Sequence, residues 1–213
     1  MPKFEYAPAP ESRDVVSLRE SYGLFIGGEF VPGLSDETFK TISPATEEVL
    51  AEVTEAGQAD VDRAVTAARK AYDQTWSVMP GKERAKYLFR IARIIQERAR
   101  ELAVLESLDN GKPIRESRDV DIPLAAAHFF YYAGWADKVM GETIPVRGNY
   151  LTYTLREPLG VVAAIVPWNF PLLLAAWKVA PALATGNVVI LKPASQTPLT
   201  AIALGEKIGR AHV

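Results

Sequence analysis

GVVAAIVPWNFPLLLAAWKVAPALATGNVVILKPAS, residues 160–195, changes character three times within 36 residues. Val161 to Val166 is a run of small and β-branched apolar residues, too short for a helix, and it predicts a strand buried on both faces of a parallel sheet. Pro167-Trp168-Asn169-Phe170-Pro171 breaks the run, and Pro171 suits the first turn of a helix. Leu172 to Leu183 is apolar and Ala-rich, and Thr185-Gly186-Asn187 closes it with a helix-ending glycine. Val188 to Leu191 then predicts a second strand, ended by Lys192-Pro193. Strand, helix and strand in that order form a crossover unit, whose two strands run parallel. Asn169 and Lys192 therefore both lie just past the carboxyl ends of adjacent strands, the edge at which open α/β sheets bind ligands.

Five blocks in this order carry a resemblance: Val166-Pro-Trp-Asn-Phe-Pro171, Trp177-Lys178, Pro181-Ala-Leu-Ala-Thr-Gly-Asn187, Leu191-Lys-Pro-Ala-Ser195 and Thr197-Pro198-Leu199. Together they are similar to the NAD(P)-dependent aldehyde dehydrogenase superfamily. The likeness runs from about Leu24 to about Lys207, less than half of a usual family chain. It implies an α/β fold with an incomplete Rossmann-type parallel sheet, flanking helices and an oligomerisation β-hairpin. The domains expected are an N-terminal arm at 1–20, a partial nucleotide-binding domain at 21–142 and 159–207, the hairpin at 143–158, and a non-native tail at 208–213. The tail is expected to be foreign because Ile208-Gly-Arg-Ala-His-Val213 is what ATC GGA AGA GCA CAC GTC encodes, a common sequencing-library adapter.

The resemblance also implies roles. In the family the amide matching Asn169 helps hold the oxyanion formed when a cysteine attacks the aldehyde. A carbonyl becoming tetrahedral needs donors aimed at its new charge. An Asn here also suits the helix N-cap, and the two roles are compatible. Lys192 is implied to bond the adenosine ribose of NAD or NADP, with Ala194 and Ser195 beside it, whereas by position alone it suits an exposed strand end. Ile165, Val166, Pro167 and Trp168 are implied to line the cofactor path, although a lone Trp is more often core. Ser195 stands where strictly NAD-dependent members often carry glutamate, so NADP or dual use is expected. Lys178 resembles a residue near a proton path, and equally fits an ordinary charge on a helix face.

Composition bounds the rest. The chain has 213 residues, 48% hydrophobic and 23% charged, with a net charge of −2 and no cysteine. Mixed signs give no electrostatic case for nucleic acid or an anionic membrane. Without cysteine there is no disulfide, no thiolate metal site and no thiol nucleophile within the chain. The chain by itself is thus expected to be inactive, since the family's cysteine and general-base glutamate come later. Two other classes stay open: a non-catalytic nucleotide-binding or structural member of the fold, and a regulatory fragment pairing with full-length subunits. Leu159 to Trp177 is apolar enough to suggest a membrane span, but its prolines would strand backbone groups in lipid. Met1-Pro-Lys-Phe-Glu-Tyr has no apolar core of a signal peptide, and a cytoplasmic parent is expected. The resemblance implies that this parent is a homodimer or homotetramer acting on a small aldehyde.

The remaining segments read simply. Leu24 to Val31 predicts a hairpin around Gly27-Gly28, and Phe39–Ile42 and Val49–Val53 predict short strands. Helices are expected over Gln58–Tyr72, through Tyr87, Ile91, Ile94 and Ile95, over 99–108 with Asn110-Gly111-Lys112-Pro113 as its stop, and over Val120–Met140. Thr143 to Pro158 alternates around Gly148-Asn149 as a hairpin. His128 lies among aromatics as a packed residue, and no cluster has metal-ligand spacing.

Overall fold

The computed structural model describes residues 12–210. The first 11 residues of the expected arm and the last three of the expected tail lie outside the described residues. In chain order, β1 (Ser21–Tyr22), β2 (Leu24–Ile26), β3 (Glu29–Val31), β4 (Thr38–Ile42) and β5 (Val49–Thr54) lead into helix α1 (Gln58–Ala71). Helices α2 (Gly81–Glu97), α3 (Ala99–Asn110), the short α4 (Ile114–Glu116) and α5 (Ile122–Ala133) follow. Then come β6 (Thr143–Ile144), β7 (Thr152–Tyr153), β8 (Val161–Ile165), α6 (Pro171–Ala184), β9 (Val188–Lys192) and α7 (Leu199–Arg210).

The predicted hairpin at 24–31 forms, with Leu24 opposite Val31 and the turn at Gly27-Gly28. Both glycines have positive φ, 67° and 94°, which a residue with a Cβ adopts only at a cost. Strand β5 pairs parallel with β1 and antiparallel with β4. Helices α2, α3, α5 and α6 supply most of the main core, from Leu88, Ile91 and Ile95 through Leu102, Ile122 and Phe129 to Leu172, Ala176 and Val179. A smaller core joins Leu50, Ala51 and Val53 of β5 to Leu105 of α3 and Leu199 of α7.

Two boundaries differ from the sequence reading. The helix expected over 120–140 is α5, which stops at Ala133 with Gly134 as its C-cap, after a π turn at Ser117–Asp121. Pro123 in the first turn fits the start, and Gly134 weakens any continuation. The helix expected over Gln58–Tyr72 runs on past Tyr72 as a π turn, Tyr72–Trp76, and the Trp76 indole donates to the Leu183 carbonyl at 3.1 Å.

The crossover forms as predicted. Strands β8 and β9 pair in parallel, Val161 opposite Val188 through Ile165 opposite Lys192. Burial on both faces does not hold. Only Ala164 of the ten strand residues is buried, and Ile165 is 70% exposed. The reason is that β8 and β9 form a sheet of two strands, so each has one open edge and helix cover only in part. The hairpin between 143 and 158 is also shorter than its alternation implied. Thr143 pairs with Tyr153 and Ile144 with Thr152, and the apolar Ile144, Val146, Leu151, Tyr153 and Leu155 stand exposed.

Candidate active site at the strand ends

The end of β8 and the start of α6 are joined by the turn 166–170, and three features of the sequence place it. Val166 is buried and its N–H donates to the Lys192 carbonyl at 3.2 Å, the last rung of the parallel pair. Pro171 opens α6 without an N–H of its own, so Leu172 offers the helix's first donor. Phe170 is the N-cap, in a non-helical backbone conformation and with no side-chain cap bond. Capping by the Asn169 side chain is therefore not observed. Among the described residues nothing bonds its amide, and the residue is exposed.

Around Asn169 the predicted cofactor residues divide by exposure. Ile165, Pro167 and Trp168 are exposed, with Trp168 57% open, while Val166 is buried beneath them. Trp168 is thus not core. Opposite Ile165, Lys192 ends β9 with an exposed side chain, followed by half-buried Ala194 and exposed Ser195. The edge of the two strands therefore presents an amide, an ammonium, a hydroxyl and apolar surface together. Lys178 is exposed on α6, and among the described residues it has no partner that would single it out from a helix-face charge. His128 is half-buried, with its Nδ1 2.9 Å from the Leu124 carbonyl oxygen and its ring 5.4 Å from that of Trp177. Among the described residues no group of three or more His, Cys, Asp or Glu side chains is arranged to hold a metal.

The sequence reading missed what holds the turn. Asn110, the last residue of α3, donates its amide to the Trp168 carbonyl at 2.6 Å. Gly111 follows at φ 76°, which lets the chain reverse and bring Lys112 under the turn. The Lys112 ammonium sits 3.8 Å from the centre of the Phe170 ring and pairs with Asp121. Glu106 of α3, fully buried, accepts the Leu172 N–H at 3.2 Å. Burial, with Asp121 beside it, pushes the Glu106 carboxyl up to about 8. Asn110-Gly111-Lys112-Pro113 read only as a helix stop. The available signal was Glu106 itself, a carboxylate directly after the apolar run Leu102-Ala-Val-Leu105.

A second buried carboxylate ties the sheet to α7. Asp109 accepts from the Thr41 hydroxyl at 2.6 Å and from the Leu199 N–H at 2.8 Å. Burial raises its carboxyl to about 6 even against those two bonds.

The family model described as the aldehyde dehydrogenase family matches residues 30–213. This chain belongs to the aldehyde dehydrogenase family. It is 54% identical over 195 residues to the protein DhaS of Bacillus subtilis, covering 91% of this chain and 39% of that protein. It is 52% identical to aldehyde dehydrogenase family 2 member B4, mitochondrial, of Arabidopsis thaliana, over 86% of this chain and 34% of the relative. The NAD+ complex of aldehyde dehydrogenase from Bacillus cereus superposes with a TM-score of 0.88 at 47% identity, over 91% of this chain and 40% of that one. The fold is therefore that of an aldehyde dehydrogenase in part. The chain spans about 39% of the length of DhaS.

Proposed function

We propose that this chain is the cofactor-holding and oxyanion-holding part of an NAD(P)+-dependent dehydrogenase that oxidises an aldehyde to a carboxylic acid. The observation that carries the reading is the unbonded Asn169 amide at the same strand edge as Lys192. A cap bond would use only the side-chain oxygen as acceptor; here, among the described residues, neither end of the amide is bonded, so its N–H donors are free for a developing oxyanion.

Lys192 and Ser195 would hold the adenosine end of the cofactor, with Ile165, Val166, Pro167, Trp168 and Ala194 forming the wall beside it. The fit is chemical: exposed apolar surface for a flat base, and an ammonium and a hydroxyl for ribose oxygens. The cofactor, when bound, accepts a hydride. Serine at 195 lacks the negative charge that would repel a 2′-phosphate, so NADP+ is admitted with NAD+. No cysteine is present in the 213 residues, so this chain alone supplies no thiol nucleophile and is inactive by itself.

Within this reading residues 21–142 and 159–207 form the nucleotide-binding body. The 143–158 hairpin meets a second subunit of a homodimer or homotetramer, which accounts for exposed Leu151, Tyr153 and Leu155. Among the described residues no helix is long and apolar enough to cross a membrane. The test is aldehyde-dependent formation of reduced nicotinamide by the protein extended through the rest of the family's length. Turnover with either cofactor supports the reading, and its absence with a panel of small aldehydes refutes it.

A further inference from the structure

The turn that carries Asn169 is held from below by three side chains that converge on alternate positions, 168, 170 and 172. Asn110 takes the Trp168 carbonyl, the Lys112 ammonium lies over the Phe170 ring, and Glu106 takes the Leu172 N–H. Asn169 is the residue between the first two. Glu106 and Asp121 are both buried, at 0% and 1% exposure. Asp121 uses one carboxyl oxygen for Lys112 and Glu106 uses one for Leu172. The other oxygen of each, Oε1 of Glu106 and Oδ1 of Asp121, is buried without a donor.

The Glu106 and Asp121 side chains interact with each other, and an ionised carboxylate only accepts, so as two carboxylates neither could satisfy the other's free oxygen. A single proton between them satisfies both. It also brings the charge of Glu106, Asp121 and Lys112 to zero, where two bare carboxylates against one ammonium would leave a buried negative charge.

We propose that Glu106 is a positioning residue for Asn169, protonated and sharing its proton with Asp121 so that the turn 168–172 is fixed from α3. Glu106 is too deeply buried to meet substrate, and its action passes through the Leu172 N–H and, by way of Asp121 and Lys112, through Phe170. The charged groups acting on Glu106 are Asp121 and Lys112. Removing the proton sets the two carboxylates against each other, and the strain falls on the pairings that hold the turn. The functional consequence rests on the oxyanion role of Asn169; the positioning does not.

The direct test is NMR of the chain labelled at carboxyl carbons and amide nitrogens, titrated from neutral pH upward through about 8. The expected result is a Glu106 carboxyl protonated at neutral pH, with the Leu172 backbone amide and the Asn169 side-chain amide moving at the same midpoint. In Glu106→Gln, which keeps an acceptor for Leu172 and offers an N–H to Asp121, both signals should stay at their neutral-pH positions throughout. Glu106→Leu should displace them at every pH. A Glu106 carboxyl already ionised at neutral pH in the unsubstituted chain overturns the proposal, and that measurement needs no variant to fold. Titration of the Asn169 amide that persists in Glu106→Gln overturns it as well. In the protein extended through the family's length, Glu106→Leu should lower kcat by up to about 10²-fold, the scale of one oxyanion donor, with Glu106→Gln restoring it. If Glu106 titrates as expected while Asn169→Ala leaves turnover unchanged, the oxyanion reading fails and the positioning stands.

Discussion

Ile165 lies opposite Lys192 at the carboxyl end of two parallel strands, and the next residue, Val166, donates its N–H to the Lys192 carbonyl at 3.2 Å. This last rung fixes where the chain leaves β8, and so puts the start of the turn bearing Asn169 at the strand end where Lys192 lies. Everything proposed for the site depends on this register. A slip of one residue would turn each strand's side chains to the opposite face.

The register is anchored at the other end by Asn187. Its side-chain oxygen accepts the Gly160 N–H at 3.0 Å, and its amide donates to the Thr185 hydroxyl at 2.9 Å. Both Gly160 and Asn187 are buried. We predict that Asn187→Ala, which leaves the Gly160 N–H unpaired, costs about 1–3 kcal/mol. Urea denaturation should show a lower midpoint at an unchanged slope. An unchanged midpoint would show that the bond is dispensable.

Gly160 itself sits at φ 111°, and a Cβ there would meet the Arg69 guanidinium at 2.7 Å. The arginine end is flexible and can move, so backbone conformation dominates the cost. Gly160→Ala is expected to destabilise the chain by about 1–3 kcal/mol. Thermal unfolding measures it; a melting temperature equal to that of the unsubstituted chain contradicts it.

Glu106 predicts a pH dependence of stability. Its carboxyl rises from an ordinary 4.5 to about 8 in the folded chain. Between those values the folded state keeps a proton that the unfolded state has lost, so stability falls as pH increases across that window. The contribution is fully present below about 4.5 and gone above about 8. Asp109 acts in the same direction between 3.8 and about 6. Chemical denaturation at a series of pH values should show the decline, and Glu106→Gln should flatten its upper part. Stability that rises from pH 6 to about 8 would contradict this assignment.

Much of this was legible in the sequence, for identifiable reasons. The crossover unit announced itself because strand, proline break, apolar helix and glycine stop occur within 36 residues. Asn169 and Lys192 could be placed because topology alone puts them on one edge. Burial could not be read the same way. Val161 to Val166 has the composition of a strand covered on both faces, yet how far it is covered depends on neighbouring strands that composition does not reveal. The support under Asn169 was hidden for a different reason. Glu106, Asn110 and Lys112 reach residues 168–172 across 58 to 66 positions of sequence, and no local period encodes such contacts.

Cofactor choice follows from Ser195, exposed after β9. We predict that the extended protein uses NADP+ at least comparably to NAD+, and that Ser195→Glu moves the preference toward NAD+ by placing a carboxylate against a 2′-phosphate. Steady-state kcat/KM for the two cofactors checks both statements. A preference for NAD+ of about a hundredfold, some 3 kcal/mol, in the unsubstituted protein would contradict the first.

The role of Asn169 decides the account. In the extended protein, Asn169→Ala should lower kcat for aldehyde oxidation by about 10²–10³, the loss of one oxyanion donor, with the KM for cofactor little changed. Because Asn169 neither caps α6 nor bonds another described residue, stability should stay within about 0.5 kcal/mol of the unsubstituted protein. A turnover number unchanged in Asn169→Ala, measured under saturating aldehyde and cofactor, would contradict the central claim.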